Sequence, residues 1–398
     1  MGSPLELTKQ LRSGPVLTTH VKAIEANTKI FLDAVDAGSI VRSQHTATKP
    51  SPHIMAVVKG DGYGHGYIWV SEAAITSGAT WLGVTSFAEA KILREGGIVH
   101  TPILSWLNSI EIDAKDAVEL GVDIAIPGLE QLKSFLATCT PSEKNSSERR
   151  ARVHLQFDMG MARDGCAEEH WEALIQEAAK AQSDGLIRVV GLMSHLRNSG
   201  EKDLEDNALA VKKMLKVRSL ASDVNLNPEI THLAATGAAL TDPSTHFDMV
   251  RIGAGLVGID PSETLNLKGA STLTAPVIQH RRIRRGETVG YSRTWTAPVD
   301  TNLALIPVGY ADAILRKIPT EAGVQIAGER FNIVGRVSMD QVVIDTGDWE
   351  VPLGEIATVW GPGENGEPTI HDWAKWEDTI AHEVVTTIGP RITRATTD

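Results

Sequence analysis

Apolar runs and amphipathic stretches alternate along the first two-thirds of the chain. The runs fall at His53–Lys59, Thr80–Ser86, Thr101–Leu107, Asp123–Pro127, Val153–Asp158, Val189–His195, Glu229–Thr236 and Met249–Ile259. Most are separated by stretches rich in Ala, Glu, Lys and Leu, such as Phe87–Glu95, Ile110–Leu120, Glu168–Ser183 and Leu204–Ala221. Near-continuous apolar strands with helices between them predict a parallel sheet covered on both faces. Eight such units in one domain predict a (β/α)8 barrel of the TIM type. Upstream lie a strand-like Pro15–Val21 and a helix-like Ile24–Ala37.

After about Gly258 the pattern changes. Ile283–Trp295, Asn302–Tyr310, Gly323–Ile344 and Glu355–Trp360 are strand-like, with Gly, Pro and Asp turns between them. Pro261–Ala275 is the expected connection, and Trp373–Ile388 the only long helix expected in this part. The prediction is an α/β barrel followed by a mostly β C-terminal domain. The expected divisions are an N-terminal segment, 1–20, with a strand packing near the C-terminal domain, a barrel over 21–265 and a β domain over 266–398. The polar stretch Thr140–Arg150 is expected to be an exposed loop.

Composition narrows the function. With 398 residues, 42% hydrophobic and 22% charged, the chain is an ordinary globular protein with room for two domains. Its net charge of −12 argues against binding nucleic acid or an anionic membrane, while leaving room for a local cationic pocket. Cys139 and Cys166 make no disulfide framework. No apolar signal core follows Met1–Leu7 and no apolar stretch is long enough to span a bilayer, so a cytoplasmic location is expected. No metal site is singled out.

Chemistry concentrates in Met55-Ala56-Val57-Val58-Lys59-Gly60-Asp61-Gly62-Tyr63-Gly64-His65-Gly66. An apolar strand ends abruptly in an amine, and a glycine-rich loop follows. A lone Val-Val-Lys is most often a strand-end lysine reaching solvent. Desolvated at the inner end of a strand, the amine becomes a base or a Schiff-base nucleophile. The barrel prediction adds a spatial test, because such folds place their sites at strand C-termini. Those ends read Lys59, Ser86, Trp106, Pro127, Arg163, His195, Thr236 and Arg251. Charge-handling and hydroxyl groups at one rim suit an anionic, phosphate-bearing ligand.

The lysine segment resembles the pyridoxal-phosphate lysine motif of the alanine racemase family. Further segments resemble that family in its order. They are Phe157-Asp158-Met159-Gly160-Met161-Ala162-Arg163, Gly191–His195, His232–Ala238 and Met249–Gly253 in the barrel. Val289–Trp295, Pro307–Asp312 and Gly335–Gln341 follow in the C-terminal domain. The resemblance implies fold-type III pyridoxal-phosphate chemistry: interconversion of L- and D-alanine by two bases, supplying D-alanine for peptidoglycan. It implies Lys59 and Tyr291 as the bases, and Lys59, Tyr63, Arg163, His195, Thr236, Arg251, Gly253 and Ala254 as cofactor-binding. Arg163, Tyr310, Met339 and Asp340 would meet the substrate. Arg251 would face the pyridine nitrogen, and a guanidinium does not readily give up its proton. Tyr291 needs cationic or hydrogen-bonding neighbours to act as a base near neutrality. The resemblance also implies a head-to-tail homodimer with composite sites, in which Tyr291 reaches the partner's barrel.

Departures from the family pattern bear on substrate preference and turnover. Gln156 stands where many members have a carbamylated lysine, and its amide oxygen is expected to orient Arg163. Met159 replaces a threonine, and Gly60 an alanine or asparagine. Leu196-Arg197-Asn198 and Ala313-Ile314-Leu315 interrupt two further family segments, and the family's C-terminal phosphate-contacting tyrosine aligns near Pro390. Three other readings compete: a racemase for serine, lysine or a broad range of amino acids, a non-catalytic pyridoxal-phosphate-binding protein, and a basic-amino-acid decarboxylase. The Tyr291 and Met339-Asp340 segments oppose the second, and Arg251 opposes the third.

Overall fold

The computed structural model describes residues 13–43, 51–140, 150–198 and 204–397. The N-terminal residues 1–12 and, but for its two ends, the stretch Thr140–Arg150 lie outside the described residues. Strand β1 (Val16–His20) leads into the long helix Val21–Ser43. A closed barrel of parallel strands follows: β2 (His53–Val57), β3 (Trp81–Val84), β4 (Ile103–Ser105), β5 (Val122–Ile126), β6 (Ala151–Gln156), β7 (Ile187–Met193), β8 (Ile230–His232) and β9 (Met249–Ile252). Pairing of β2 with β9, His53 opposite Met249 through Ala56 opposite Ile252, closes the ring. Each strand lies inside one of the eight apolar runs, apart from residues at the starts of β5, β6 and β7.

Period-2 alternation divides each barrel strand between two environments. On β2, Ile54 and Ala56 pack outward into the main core, while Met55 and Val57 point into the barrel. The barrel interior is filled by Met55, Val57, Trp81, Leu104, Ala125, Val190, Met193, Ile230 and Met249. The polar side chains of Asp123, His154, His232 and Arg251 are also buried. The interior is therefore a packed core with a polar thread, not a pore.

A nine-stranded sheet forms the second layer system. Its order is Gln279–Ile283, Thr301–Ile306, Val342–Gly347, Glu329–Val334, Gly323–Ile326, Ile356–Trp360, Ser271–Pro276, β1 and Thr393–Thr397. β1 pairs antiparallel with Ser271–Pro276 and parallel with Thr393–Thr397, so both ends of the described chain enter this sheet.

Several C-terminal elements differ from the sequence expectation. The expected connection Pro261–Ala275 already contains most of the strand Ser271–Pro276. The expected strand Gly323–Ile344 is a hairpin, turning at Ala327 and Gly328 with φ of 50° and 87°, followed by the start of Val342–Gly347. In Ile283–Trp295, after Ile283 ends the strand Gln279–Ile283, the chain makes the short ladder of Thr288–Val289 with Trp295–Thr296. Positive φ at Gly286, Gly290, Ser292 and Arg293 breaks the extended backbone there. The expected helix Trp373–Ile388 is two short helices, Ile370–Trp376 and Ala381–Thr386. Asp378 at φ 53° separates them, and the β-branched residues from Val384 onward are weak helix formers. Trp373 anchors the first through a 2.7 Å hydrogen bond from its indole N–H to the Val359 carbonyl. Among the described residues, no helix is long and apolar enough to cross a membrane.

Candidate active site

The residues after β2 wind the wrong way round. Gly60, Asp61, Gly62, Tyr63 and Gly64 have φ of 62°, 58°, 60°, 56° and 78°, which makes a short left-handed turn. Hydrogen bonds from Gly62 N to Val58 O and from Gly64 N to Gly60 O, at 2.8 and 2.9 Å, close it. Glycine adopts this backbone without penalty, while Asp61 and Tyr63 each lose about 1–2 kcal/mol. Compensation comes from outside the turn. Asp61 accepts from Tyr67 N at 3.1 Å and pairs with Arg394, whose guanidinium also donates to the Gly64 carbonyl. The turn aims Tyr63 at Gly253, just past the end of β9. A Cβ added at Gly253 would lie 2.3 Å from Tyr63 Oη, so this contact requires glycine.

A cavity of about 930 Å³ opens at the C-terminal mouth of the barrel. Lys59, Tyr63, Arg163, His195, Thr236, Arg251, Gly253 and Ala254 all line it. Residues separated by up to 195 positions thus meet at one rim. Tyr291, Tyr310, Met339 and Asp340 do not line this cavity in the same chain. They lie on the β domain, where Tyr291 is 66% and Met339 53% exposed. Tyr310 N and Ala311 N donate to the Ser338 and Met339 carbonyls, both at 3.0 Å, so the Tyr310 and Met339 segments are clasped together. Arg391 binds Asp312 through both carboxylate oxygens at 2.6 Å and also pairs with Asp340.

Three cations, Lys59, Arg163 and Arg251, share the cavity. Burial lowers the basicity of the Lys59 amine, the field of Arg163 lowers it further, and Glu89 acts against both. Burial pushes His195 down to about 3, with Arg251, Arg163 and Lys59 adding to the effect. Arg251 falls to about 10, mainly through burial, and remains a cation at neutral pH. Burial raises Tyr63 to about 12, which keeps its hydroxyl a donor. Arg251 donates to the Ser194 and Leu233 carbonyls at 2.7 and 3.1 Å, and to His232 Nδ1 at 2.9 Å. A site with this electrostatic balance favours an anionic ligand. A second concavity of about 760 Å³ on the β domain is lined by Arg316, Lys317, Arg330 and Arg336, but it holds no buried cation.

The chain matches the family model "Alanine racemase, N-terminal domain" over residues 32–261 and "Alanine racemase, C-terminal domain" over residues 270–396. The chain belongs to the alanine racemase family. Among curated relatives, the alanine racemase of Thermobifida fusca is 37% identical, covering 94% of this chain and 98% of that one. The alanine racemase of Mycolicibacterium smegmatis is 37% identical, covering 95% and 96%. Among solved structures, the alanine racemase from Streptomyces lavendulae superposes with a TM-score of 0.87 at 32% identity, covering 97% of each chain. The alanine racemase from E.faecalis gives a TM-score of 0.84 at 29% identity, covering 96% of this chain and 98% of that one.

Two departures from the alanine racemase pattern take a different form in the structure. Gln156 does not orient Arg163 through its amide oxygen. Its Nε2 donates to Asp164 at 2.9 Å, while Oε1 is buried without a hydrogen-bond partner. The Asp164 carboxylate is the better acceptor, so it captures the amide nitrogen. The C-terminal contribution to the cavity does not come from near Pro390, which is exposed. It comes from the helix Ala381–Thr386, which places His382 on the cavity wall, its ring 6.2 Å from that of Tyr63. His382 Nδ1 is buried and unpartnered, and burial with the nearby Lys59 lowers the imidazole's basicity. No local signal marks His382, because the break at Asp378 decides which way its helix points. Asp123, His154 and His232 were not singled out as interacting residues in the sequence, although inward-facing polar residues on apolar strands were the available signal.

Proposed function

We propose that this chain interconverts L- and D-alanine with pyridoxal 5'-phosphate as its cofactor, in the cytoplasm, and that the D-alanine supplies peptidoglycan. The observation that carries this reading is a half-buried lysine amine of lowered basicity, set beside Arg163, His195 and Arg251 at the mouth of a barrel. The surrounding residues fit the cofactor. Tyr63, Thr236 and the backbone N–H groups of Gly253 and Ala254 are hydrogen-bond donors of little bulk, and a side chain at 253 would fill the space beside Tyr63. His382 adds an unpartnered ring nitrogen on the wall next to Tyr63.

Lys59 would hold the cofactor covalently, the Tyr63 and Thr236 side its phosphate, and Arg251 its ring nitrogen. Pyridoxal phosphate, when bound, supplies an electron sink that acidifies the α-hydrogen of an amino acid. Racemisation then requires a proton to leave one face of the α-carbon and another to arrive at the opposite face. Lys59, freed by exchange with the substrate amine, serves one face, and desolvation lowers its basicity. Tyr291 serves the other. It lies outside the cavity of its own chain, so this role belongs to Tyr291 of a second copy, in a head-to-tail homodimer with composite sites. Tyr310, Met339 and Asp340 of that copy accompany it on the substrate side. Arg163 binds the substrate carboxylate.

A second reading is a broader amino-acid range. Gln156 Oε1, an acceptor without a partner at the cavity wall, favours a substrate bearing a donor, such as serine. A coupled assay over a panel of L-amino acids tests both, with alanine expected to turn over fastest. Faster serine or lysine turnover would replace the leading reading. Full cofactor binding with no racemisation of any amino acid would leave a non-catalytic binding protein.

A further inference from the structure

Glu89 takes more hydrogen bonds than its place in the chain accounts for. It is the third residue of the helix Phe87–Glu95, whose capping box pairs Ser86 Oγ with Glu89 N and Glu89 with Ser86 N. A capping box asks one backbone bond of such a carboxylate, here from Ser86 N at 3.3 Å. Four shorter bonds reach it as well. Thr85 N and Thr85 Oγ1 donate to Oε2, both at 2.7 Å. Gly60 N donates to Oε1 at 2.8 Å and Tyr67 Oη at 2.9 Å. Gly60 belongs to the turn that carries Lys59, and Tyr67 opens the helix Tyr67–Thr76 that follows it.

Gly60 N is the first amide after Lys59. It stands at the start of the left-handed turn, where the intraturn bonds run from Gly62 N and Gly64 N and supply it with no acceptor. We propose that Glu89 is a positioning residue of the site: its carboxylate holds the Lys59–Gly60 peptide and thereby sets where the Lys59 amine points. The inference rests on the reading of Lys59 as the cofactor lysine. A peptide plane free to rotate at Gly60, which has no side chain to restrain it, would swing the amine across the cavity. The clamp ties that plane to Thr85 at the end of β3 and to Tyr67 in the helix Tyr67–Thr76, two elements packed into the barrel wall.

Glu89 also acts through its charge. Burial alone would raise this carboxyl, and its donors more than reverse that, so it stays ionised. Arg163, Arg251, His195 and His382 face the cavity around the Lys59 amine, with Asp164 and Glu383 also on its lining. Of the fields that shift Lys59, those of Arg163 and Arg251 lower it, and that of Glu89 raises it. Replacing Glu89 by a neutral isostere removes the raising field, so the Lys59 amine loses its proton at lower pH. Tyr67 donates to Glu89, and Asp61 accepts from Tyr67 N; both remain in that variant.

The test follows the capture of added pyridoxal phosphate by apoprotein, read as visible absorbance from pH 6 to 10. Glu89→Gln should slow capture at least tenfold and move the pH midpoint down by half a unit or more. Ser86→Ala removes the helix cap and leaves the carboxylate. It should lower the melting temperature and leave both the capture rate and the midpoint unchanged. Wild-type capture and midpoint in a folded Glu89→Gln variant would overturn the proposal, as would equal losses in Ser86→Ala. If Glu89→Gln does not fold, amide hydrogen exchange in the unaltered protein decides: Gly60 should be protected, and exchange at the rate of an open loop would overturn the clamp. Capture by Lys59→Ala at the wild-type level would instead refute the role of Lys59 itself.

Discussion

Arg251 donates to His232 Nδ1 across 2.9 Å, and this one bond orients a chain of groups through the barrel interior. A guanidinium has no acceptor, so His232 must carry its own proton on Nε2 when neutral. That nitrogen lies 2.9 Å from His154 Nδ1, and His154 Nε2 lies 3.3 Å from the Asp123 carboxylate. Asp123 is held in turn by Arg152, at 2.7 and 3.1 Å. Burial pushes His232 well below its ordinary value, so it stays neutral, and the chain runs from the Arg251 cation to the Asp123 anion, which Arg152 pairs.

The first prediction concerns that chain. Nitrogen-15 spectra of labelled protein at pH 7 should show His232 neutral with its proton on Nε2, donated to His154 Nδ1. Asp123→Ala should destabilise by about 3–5 kcal/mol in denaturant melts, because it leaves His154 and Arg152 without their anion. A Nδ1–H tautomer at His232, or a loss under about 1 kcal/mol, would mean that these groups do not act together.

A second prediction addresses the composite site. Mixing Lys59→Ala and Tyr291→Phe chains should restore activity that neither has alone. With random exchange, half the dimers are mixed and one of their two sites is intact, so recovery should approach roughly a quarter of the wild-type level. A protein that sediments as a monomer and keeps full activity would contradict the exposed placement of Tyr291 as a donation to a second copy.

Separation of the two bases gives a third. Tyr291→Phe should retain the cofactor and lose racemisation by roughly a hundredfold to ten-thousandfold. Exchange of the α-hydrogen with deuterated solvent should become lopsided, with D-alanine exchanged by the remaining Lys59 far faster than L-alanine. Equal loss for both enantiomers would remove Tyr291 as a face-specific base.

The fourth follows from Glu377, a buried carboxyl at the break between the two C-terminal helices. Burial raises it to about 7, Glu383 adds to the rise, and a 2.8 Å hydrogen bond from Leu315 N opposes it. The folded form therefore prefers the proton. Its stabilising effect is complete below the unfolded value near 4.5 and is lost as pH rises through 7. Glu377→Gln keeps an acceptor for Leu315 N and removes the charge. It should stabilise the protein at pH 8 by about 1–2 kcal/mol, allowing for partial solvent screening, and by almost nothing at pH 5. Thermal melts at the two pH values check the difference, and a gain at pH 5 as large as at pH 8 would exclude titration as its source.

The barrel was legible because a strand buried on both faces must be apolar along its length, and eight such runs stand out whatever surrounds them. The Lys59 segment was legible for a related reason: an amine at the end of a buried strand is costly, and glycines in series mark unusual backbone. The β domain was harder. Thr393–Thr397 is a polar edge strand with no alternation to detect, and the Asp378 break inside Trp373–Ile388 lies in a segment that reads as helix on either side. What only the tertiary structure decided is the set of contacts between residues far apart in sequence. It determined the reach of Glu89 to Gly60, the line from Arg251 to Asp123, and the arrival of His382 beside Tyr63 from 319 positions away. It also placed Tyr291 outside the cavity of its own chain. Hydrophobic periodicity records which face of an element is buried, because burial acts on each residue separately. The partner that a polar group finds depends on where the elements carry it, and no local pattern along the chain records that.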